Sequence, residues 1–348
     1  MTRTRVDSRL GGWVAVLACL WATLGPASGV RAQSLDRAVI AADSALTTGQ
    51  TRDIEAFIDA RLAAMTQDQA EAGQVSAARD ALLDPLTSVQ AGQVFLLNYP
   101  RMVAERVTAA FGSGSRIGRI NMAVLAGRLP TAAAADVVLV GLEDAEPAVR
   151  FAAGNALVQL LREQVELGDR RPALVERLRA VAPSDPSAFA AGKAIDSLRA
   201  LAGDDPGAML EVLNARVPVH AADPRLGYLP ENTVVQDLFI RLLDTQDRTQ
   251  QLEFARAAAR YLALVTRQLA AGGLSEDAVT TRTNFGTLLN NVLERLGGQL
   301  GVPRADLPDD ATGRLGAGDF AAAQAIADAW LAALEQHTAL DAAALAIE

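Results

Sequence analysis

Cysteine is all but missing: Cys19 is the only one in the chain. No intrachain disulfide can therefore form, and stability must come from buried apolar surface. Histidine is nearly as scarce, with His220 and His337 alone. They have neither HxH nor HExxH spacing and no cysteine partners, which removes the usual zinc ligand sets. There is no thiol nucleophile outside Cys19 and no GxSxG turn to raise a serine, so neither hydrolase signature is met. His220 is the one residue kept as a catalytic candidate, and it reads as a surface histidine. Aromatic residues make up 4% of the chain, too few and too scattered to stack on sugars or bases. Trp330 lies in an apolar helical run and reads as core. Basic residues are outnumbered by acidic ones, 32 to 41, giving net −9. Such a chain is a poor match for nucleic acid or an anionic membrane surface. Lys193 is the only lysine, so nearly all positive charge is arginine, the better interface cation. No β alternation of useful length occurs, and no metal or cofactor is expected.

What is present is helical periodicity, clearest from Leu142 to Leu161 (LEDAEPAVRFAAGNALVQLL). Val149, Ala152, Ala153, Ala156, Leu157, Leu160 and Leu161 recur at the spacing of one buried helix face. Pro147 falls in the first turn, where a missing N–H costs nothing. Glu143, Asp144 and Glu146 crowd the end where carboxylates suit the helix dipole. Gly154 and its alanine neighbours keep the helix thin enough for close packing. A nearly all-apolar helix, Val137 to Leu142, precedes it with Thr131 as its cap, and the two form a hairpin.

The hairpin recurs. Phe151-Ala152-Ala153-Gly154-Asn155-Ala156-Leu157 is echoed 38 residues on by Phe189-Ala190-Ala191-Gly192-Lys193-Ala194-Ile195. Asp185-Pro186 precedes the second copy, as does a helix with Leu174, Val175, Leu178 and Val181 in one stripe. A weaker copy lies at Arg119 to Leu129, Arg119 standing 31 residues before Arg150. A period in the thirties made of helix pairs is the mark of a helical repeat. Asp144, Pro147, Val149, Arg150, Ala153, Ala156 and Leu157, with Phe189, Ala191, Ala194 and Ile195 in the second copy, resemble the second helix of a HEAT repeat. The resemblance covers residues 130 to 161 well and extends to about residue 200. It departs at Ala188, which stands where Arg150 would be, so no arginine-mediated bond between repeats is expected there. It implies an all-α, HEAT-like α-solenoid of stacked hairpins with additional helices at both ends, and a tendency to bind macromolecules; it implies no reaction.

Residues 1–32 resemble a secretory signal peptide: Arg3, Arg5 and Arg9, an apolar run from Trp13 to Leu24, then Pro26, with Val30 and Ala32 before Gln33. The run is shorter than the ~20 residues of a membrane span, so cleavage after Ala32 and a periplasmic or secreted product without a span are expected. An uncleaved anchor and lipidation at Cys19 are the alternatives. Four segments follow from these patterns: the signal peptide 1–32, an N-terminal helical segment 33–112, the HEAT-like repeats 113–215 and a C-terminal helical segment 216–348.

Within them, Ile54, Phe57, Ile58, Leu62 and Met65 mark a helix beginning near Thr51, and Val94 to Phe111 holds another that starts or breaks near Pro100. The stretch 112–119 (GSGSRIGR) is glycine-rich but follows no strand; it reads as a loop with Ser115 as N-cap rather than an anion site using Arg116 and Arg119. Pro218, Pro224, Gly227 and Pro230 predict a long irregular stretch from Arg216 to Asn232. Gln250 to Leu269 is amphipathic, with Phe254, Ala258, Tyr261, Leu262, Val265 and Leu269 inside and a charged stripe of Glu253, Arg256, Arg260 and Arg267. Helices are also expected at Thr233 to Leu243, at Phe285 to Leu296 and from Asp319 to the end, with a break at Gly297 to Gly318. The pairs Asp204-Asp205 and Asp309-Asp310 sit beside turn-forming residues and read as turn caps. An adaptor for a protein partner in the cell envelope is the leading functional expectation. A groove binder using the Arg216 to Asn232 stretch, or an enzyme with separated acid and base groups, are the alternatives.

Overall fold

The computed structural model describes residues 34–203, 205–245, 247–301 and 311–344, with side chains as far as residue 335. The signal-peptide region with Cys19, Asp204, Asp309, Asp310 and the His337 side chain lie outside what is described. The described chain is all α, with no strand. A short opening turn, α1 (Arg37–Ile40), leads to α2 (Thr48–Thr66) and α3 (Ala72–Leu83). These are followed by α4 (Gln93–Ala110), α5 (Arg116–Ala126), α6 (Ala134–Leu142), α7 (Pro147–Arg162), α8 (Arg170–Ser184) and α9 (Ala188–Ala202). The rest comprises α10 (Pro206–Ala222), α11 (Leu229–Leu243), α12 (Arg248–Ala271), α13 (Glu276–Leu300), α14 (Ala311–Gly316) and α15 (Phe320–Ala344).

Many of these helices begin where a short polar side chain can satisfy a free N–H. Thr47 and Gln50 form a reciprocal capping box at α2, with Gln50 N–H donating to Thr47 Oγ1 over 3.2 Å. Ser115, Ser187, Asp205, Asp247 and Ser275 accept from backbone N–H groups at the starts of α5, α9, α10, α12 and α13. Asp205 is thus a turn cap, as its neighbours Pro206 and Gly207 suggested. Thr131 does not cap α6 directly: it lies two residues ahead of the N-cap, Ala133.

Packing follows a simple rule. Helices α2, α4, α6, α8, α10 and α12 touch one another in chain order, and so do α3, α5, α7, α9, α11 and α13. The two rows meet most closely within hairpins, α6 with α7, α8 with α9, and α12 with α13. Helix α15 lies against α12, and α14 sits between α13 and α15. One continuous apolar core runs between the rows from Leu35 to Leu334. It includes Ile54, Phe57, Ile58, Leu62 and Met65 of α2, the α12 stripe from Phe254 to Leu269, and Trp330.

Three expectations need correction. Pro218 does not end α10: the helix runs through it to Ala222, and only residues 223–228 are irregular before α11 opens with Pro230 in its first turn. Proline removes one N–H but leaves the rest of the helix bonded, and burial of Arg216 and His220 on either side holds the final turn in place. Pro100 likewise sits buried inside a continuous α4. Helix α13 passes straight through Gly297 to Leu300, because Gly297 is packed rather than exposed.

Candidate functional site

The repeat motif assembles as a ladder of ion pairs between successive hairpins. Asp144 accepts the Glu146 N–H at 2.8 Å, closing the turn before α7. The same carboxylate receives Arg119 of α5, Nε to Oδ2 at 2.6 Å and Nη2 to Oδ1 at 3.3 Å. One hairpin later the arrangement repeats. Asp185 accepts the Ser187 N–H at 2.8 Å and holds Arg150 of α7 through bonds of 2.6 and 2.8 Å. Arg150 also donates to the carbonyls of Asp144 and Ala145. Its hydrogen bond to the buried Asp185 carboxylate keeps the guanidinium's proton affinity above its ordinary value. Arg119 and Arg150 are therefore equivalent positions. Within the glycine-rich stretch at 112–119, Arg119 spends its donors on Asp144 and the Gly114 carbonyl, while Arg116 stays largely exposed, 3.6 Å from Glu146. Ser115 is its N-cap, bonded to Gly118 N–H at 3.1 Å.

Pro147 opens α7, and Val149, Ala153, Ala156 and Leu157 are buried along it. Ala191, Ala194 and Ile195 are buried on α9. The thin face has a visible purpose: a Cβ at Gly154 would lie 3.0 Å from Lys193 Cβ, and Ser197 Oγ donates to the Gly154 carbonyl at 3.0 Å. Phe189 behaves differently from the rest of the motif. It is 74% exposed, and its counterpart Phe151 is 36% exposed with the Lys193 ammonium 6.0 Å from its ring centre.

The third rung of the ladder is missing, as Ala188 predicted, and a buried polar cluster occupies the next joint. Arg216 and His220 lie one turn apart on α10 and both reach Glu231 in the first turns of α11. Arg216 Nε pairs with Glu231 Oε1, and His220 Nε2 meets the same oxygen at 2.8 Å. A carboxylate only accepts, so His220 Nε2 carries the proton. Arg216 Nη1 donates to the carbonyls of Ala182 and Asp185, at 3.0 and 3.3 Å, and thereby closes the end of α8. Burial pushes the Glu231 carboxyl upward, but the His220 hydrogen bond and the Arg216 charge outweigh it and hold the group below its usual range.

Aromatic rings seal this cluster. His220 stacks on Tyr228 with ring centres 4.2 Å apart, Tyr228 stacks on Phe285, and Tyr261 meets both edge-on. Desolvation raises the phenols of Tyr228 and Tyr261 above their ordinary range. Tyr228 donates to Gln268 Oε1 at 3.0 Å, and Gln268 Nε2 donates to the His220 carbonyl at 3.1 Å. Arg282 of α13 donates to the same Gln268 oxygen and to the carbonyls of Pro224 and Leu226, pinning the short α10–α11 connection. His220 is 0% exposed, not a surface histidine, and Arg216 and Glu231 are 1% exposed. Held by one another and by main-chain carbonyls, the three side chains join the end of α8 to α10 and α11.

The surface offers more. Phe151, Phe189 and Leu229 stand in the opening turns of α7, α9 and α11, consecutive neighbours in one row. These helices run side by side in the same sense, since Arg150 near the start of α7 reaches Asp185 just before α9. Pro230, next to Leu229, covers Gly192 one turn along from Phe189. An apolar side chain therefore emerges at the same level from each of three successive helices. Elsewhere, Arg256 and Arg260 of the predicted charged stripe line a cleft of about 320 Å³ with Glu211, Asn214 and Glu253. Arg260 donates to Asn214 Oδ1 at 3.2 Å across it. No group of metal-ligating side chains occurs among the described residues, and none of their helices is long and apolar enough to cross a membrane. No family model, curated protein or solved structure matches the chain.

Proposed function

We propose that this chain is an exported, HEAT-like helical-repeat scaffold that binds a protein partner of the cell envelope through the exposed row Phe151, Phe189 and Leu229. The observation that carries the reading is the exposure of a large apolar side chain at matching positions of three adjacent helices. Single exposed apolar residues are ordinary. A row kept in register by a repeating backbone is the form taken by a binding face, because each hairpin presents its own element of one extended surface. Leu229 is 69% exposed, so little of it contributes to folding and much of it remains for a partner. Lys193, beside the Phe151 ring, is already paired with Asp196 at 3.1 Å, so the row presents apolar side chains rather than a free charge.

The test is photo-crosslinking in the native envelope from a benzophenone amino acid placed at Phe189, compared with one at the exposed Val89. A single protein adduct formed at the first position and not the second is expected. The triple variant Phe151→Ser, Phe189→Ser, Leu229→Ser is expected to reduce its capture at least ~10-fold, as loss of clustered aromatic anchors does. Equal crosslinking at both positions, or capture unchanged by the triple variant, would refute the proposal.

A further inference from the structure

A groove of about 530 Å³ opens on the same row of helices but at their opposite ends, where the last turn of α5 and the loop after it face the second half of α7. Its volume falls within the ~300–1,000 Å³ typical of ligand sites. Its floor is apolar, with Leu129 and Leu160 both buried. Four polar side chains rim it: Arg128 from the loop and Asn155, Gln159 and Glu163 from α7. None of the four makes a side-chain hydrogen bond or ion pair among the described residues. That contrasts with Arg119 and Arg150 a few residues away, whose donors are spent on carboxylates and carbonyls.

Asn155, Gln159 and Glu163 are four residues apart, so they form a stripe whose steps are about 6 Å along the helix axis. An extended polypeptide repeats every two residues, or about 6.7 Å. Over the two steps from Asn155 to Glu163 the two spacings stay in register to within about 1.5 Å. Asparagine and glutamine each offer an N–H donor and a C=O acceptor, the same pair that every peptide unit offers, and Glu163 accepts while Arg128 donates. In an extended chain alternate side chains point to one side, here toward the apolar floor. An acyl chain would fill the floor but offer no hydrogen-bond partner to the half-buried Asn155 and Gln159.

We infer that this groove is a binding site for a short extended peptide with apolar residues at alternate positions, its backbone held by Asn155, Gln159, Glu163 and Arg128. The site shares no residue with the apolar row at the opposite helix ends, so it stands or falls separately from that reading.

A pool of capped pentapeptides, with Leu, Val, Ile or Phe at positions one, three and five and Ser, Thr or Asn between, is passed over the full-length protein, and bound members are identified by mass spectrometry. Selected peptides are then titrated by fluorescence anisotropy. Enrichment of alternating members is expected, with Asn155→Leu and Gln159→Leu each weakening binding about 3- to 10-fold and Phe189→Ser leaving it unchanged. Both α7 positions are half-buried and unpartnered, so these variants keep the fold. Hydrogen exchange on the unmutated protein supplies a second reading: added peptide is expected to protect residues 124–130 and 155–165. No enrichment at millimolar peptide, binding indifferent to both leucine variants, or protection elsewhere would overturn the inference. So would dodecanoate displacing every selected peptide while its own binding ignores both variants.

Discussion

Arg216 and Glu231 make a prediction whose size and asymmetry can be worked from their contacts. Both are essentially inaccessible, 1% exposed, and joined directly. Replacing Glu231 by Leu leaves a buried guanidinium that keeps its carbonyl acceptors on Ala182 and Asp185. Breaking one side of a buried pair costs about 3–5 kcal/mol, and the retained acceptors place this variant near the lower end. Replacing Arg216 by Met strands the carboxylate with only His220 and also uncaps those carbonyls. Counting only the better bond, the one of 3.0 Å to the Ala182 carbonyl, an unpaired buried acceptor costs a further ~1–3 kcal/mol, so Arg216→Met is expected to exceed Glu231→Leu by at least ~1 kcal/mol. The double variant still lacks the carbonyl caps, so it recovers part of the loss but not all of it. Urea unfolding followed by far-UV circular dichroism and by tryptophan fluorescence reads both the size and the order. A cost below ~1 kcal/mol for either single variant, or the reverse order, would refute the view of this cluster as the structural joint of the chain.

Several other outcomes are expected. The depressed Glu231 carboxyl contributes stability in full above its unfolded value of 4.5, and loses that contribution as pH falls through its lower folded value. The stability gap between the wild-type protein and Glu231→Gln should therefore be constant above pH 4.5 and shrink below it, as read from urea melts across pH. Asp185→Asn, which weakens the anchor of Arg150 while its side chain stays buried, should cost about 2–3 kcal/mol in the same assay. Three glycine-to-alanine changes should separate sharply in thermal melts. Gly118→Ala, with a Cβ placed 2.0 Å from the Met65 carbonyl oxygen, should cost more than about 3 kcal/mol; Gly154→Ala, at 3.0 Å from Lys193, should cost about 1 kcal/mol. Gly73→Ala, with open space around it, should gain about 0.5–1 kcal/mol from helix propensity.

Helical periodicity was legible wherever an apolar stripe was uninterrupted. The α7 stripe from Val149 to Leu160 and the α12 stripe from Phe254 to Leu269 are buried as their spacing requires. Arg119 was also readable as a weaker copy of Arg150, standing 31 residues before it near the start of its own helix. What spacing alone could not supply was the partner. Arg150 takes Asp185 from the next hairpin, 35 residues away, and only the stacking of α7 on α9 brings the two together.

The α10–α11 joint was hidden for a different reason. Proline at 218, 224 and 230 argued for a loop, and proline is a strong local signal because it removes an N–H regardless of context. Tertiary burial outweighed it at Pro218. The counter-signal was in the sequence: Met209, Leu213, Arg216 and His220 fall at i, i+4, i+7 and i+11, one helical stripe that continues through the proline. Met209 and Leu213 are core, so the two polar residues completing the stripe had to be buried with them. A buried arginine requires an anion, and Glu231 enters the core beside Val234 and Val235 of α11. His220 then accounts for part of the same carboxylate's bonding, and Tyr228 covers it. Polar residues lying on an apolar stripe are thus better evidence for a helix than proline is against one, because burying them demands a partner that only a fixed geometry can provide.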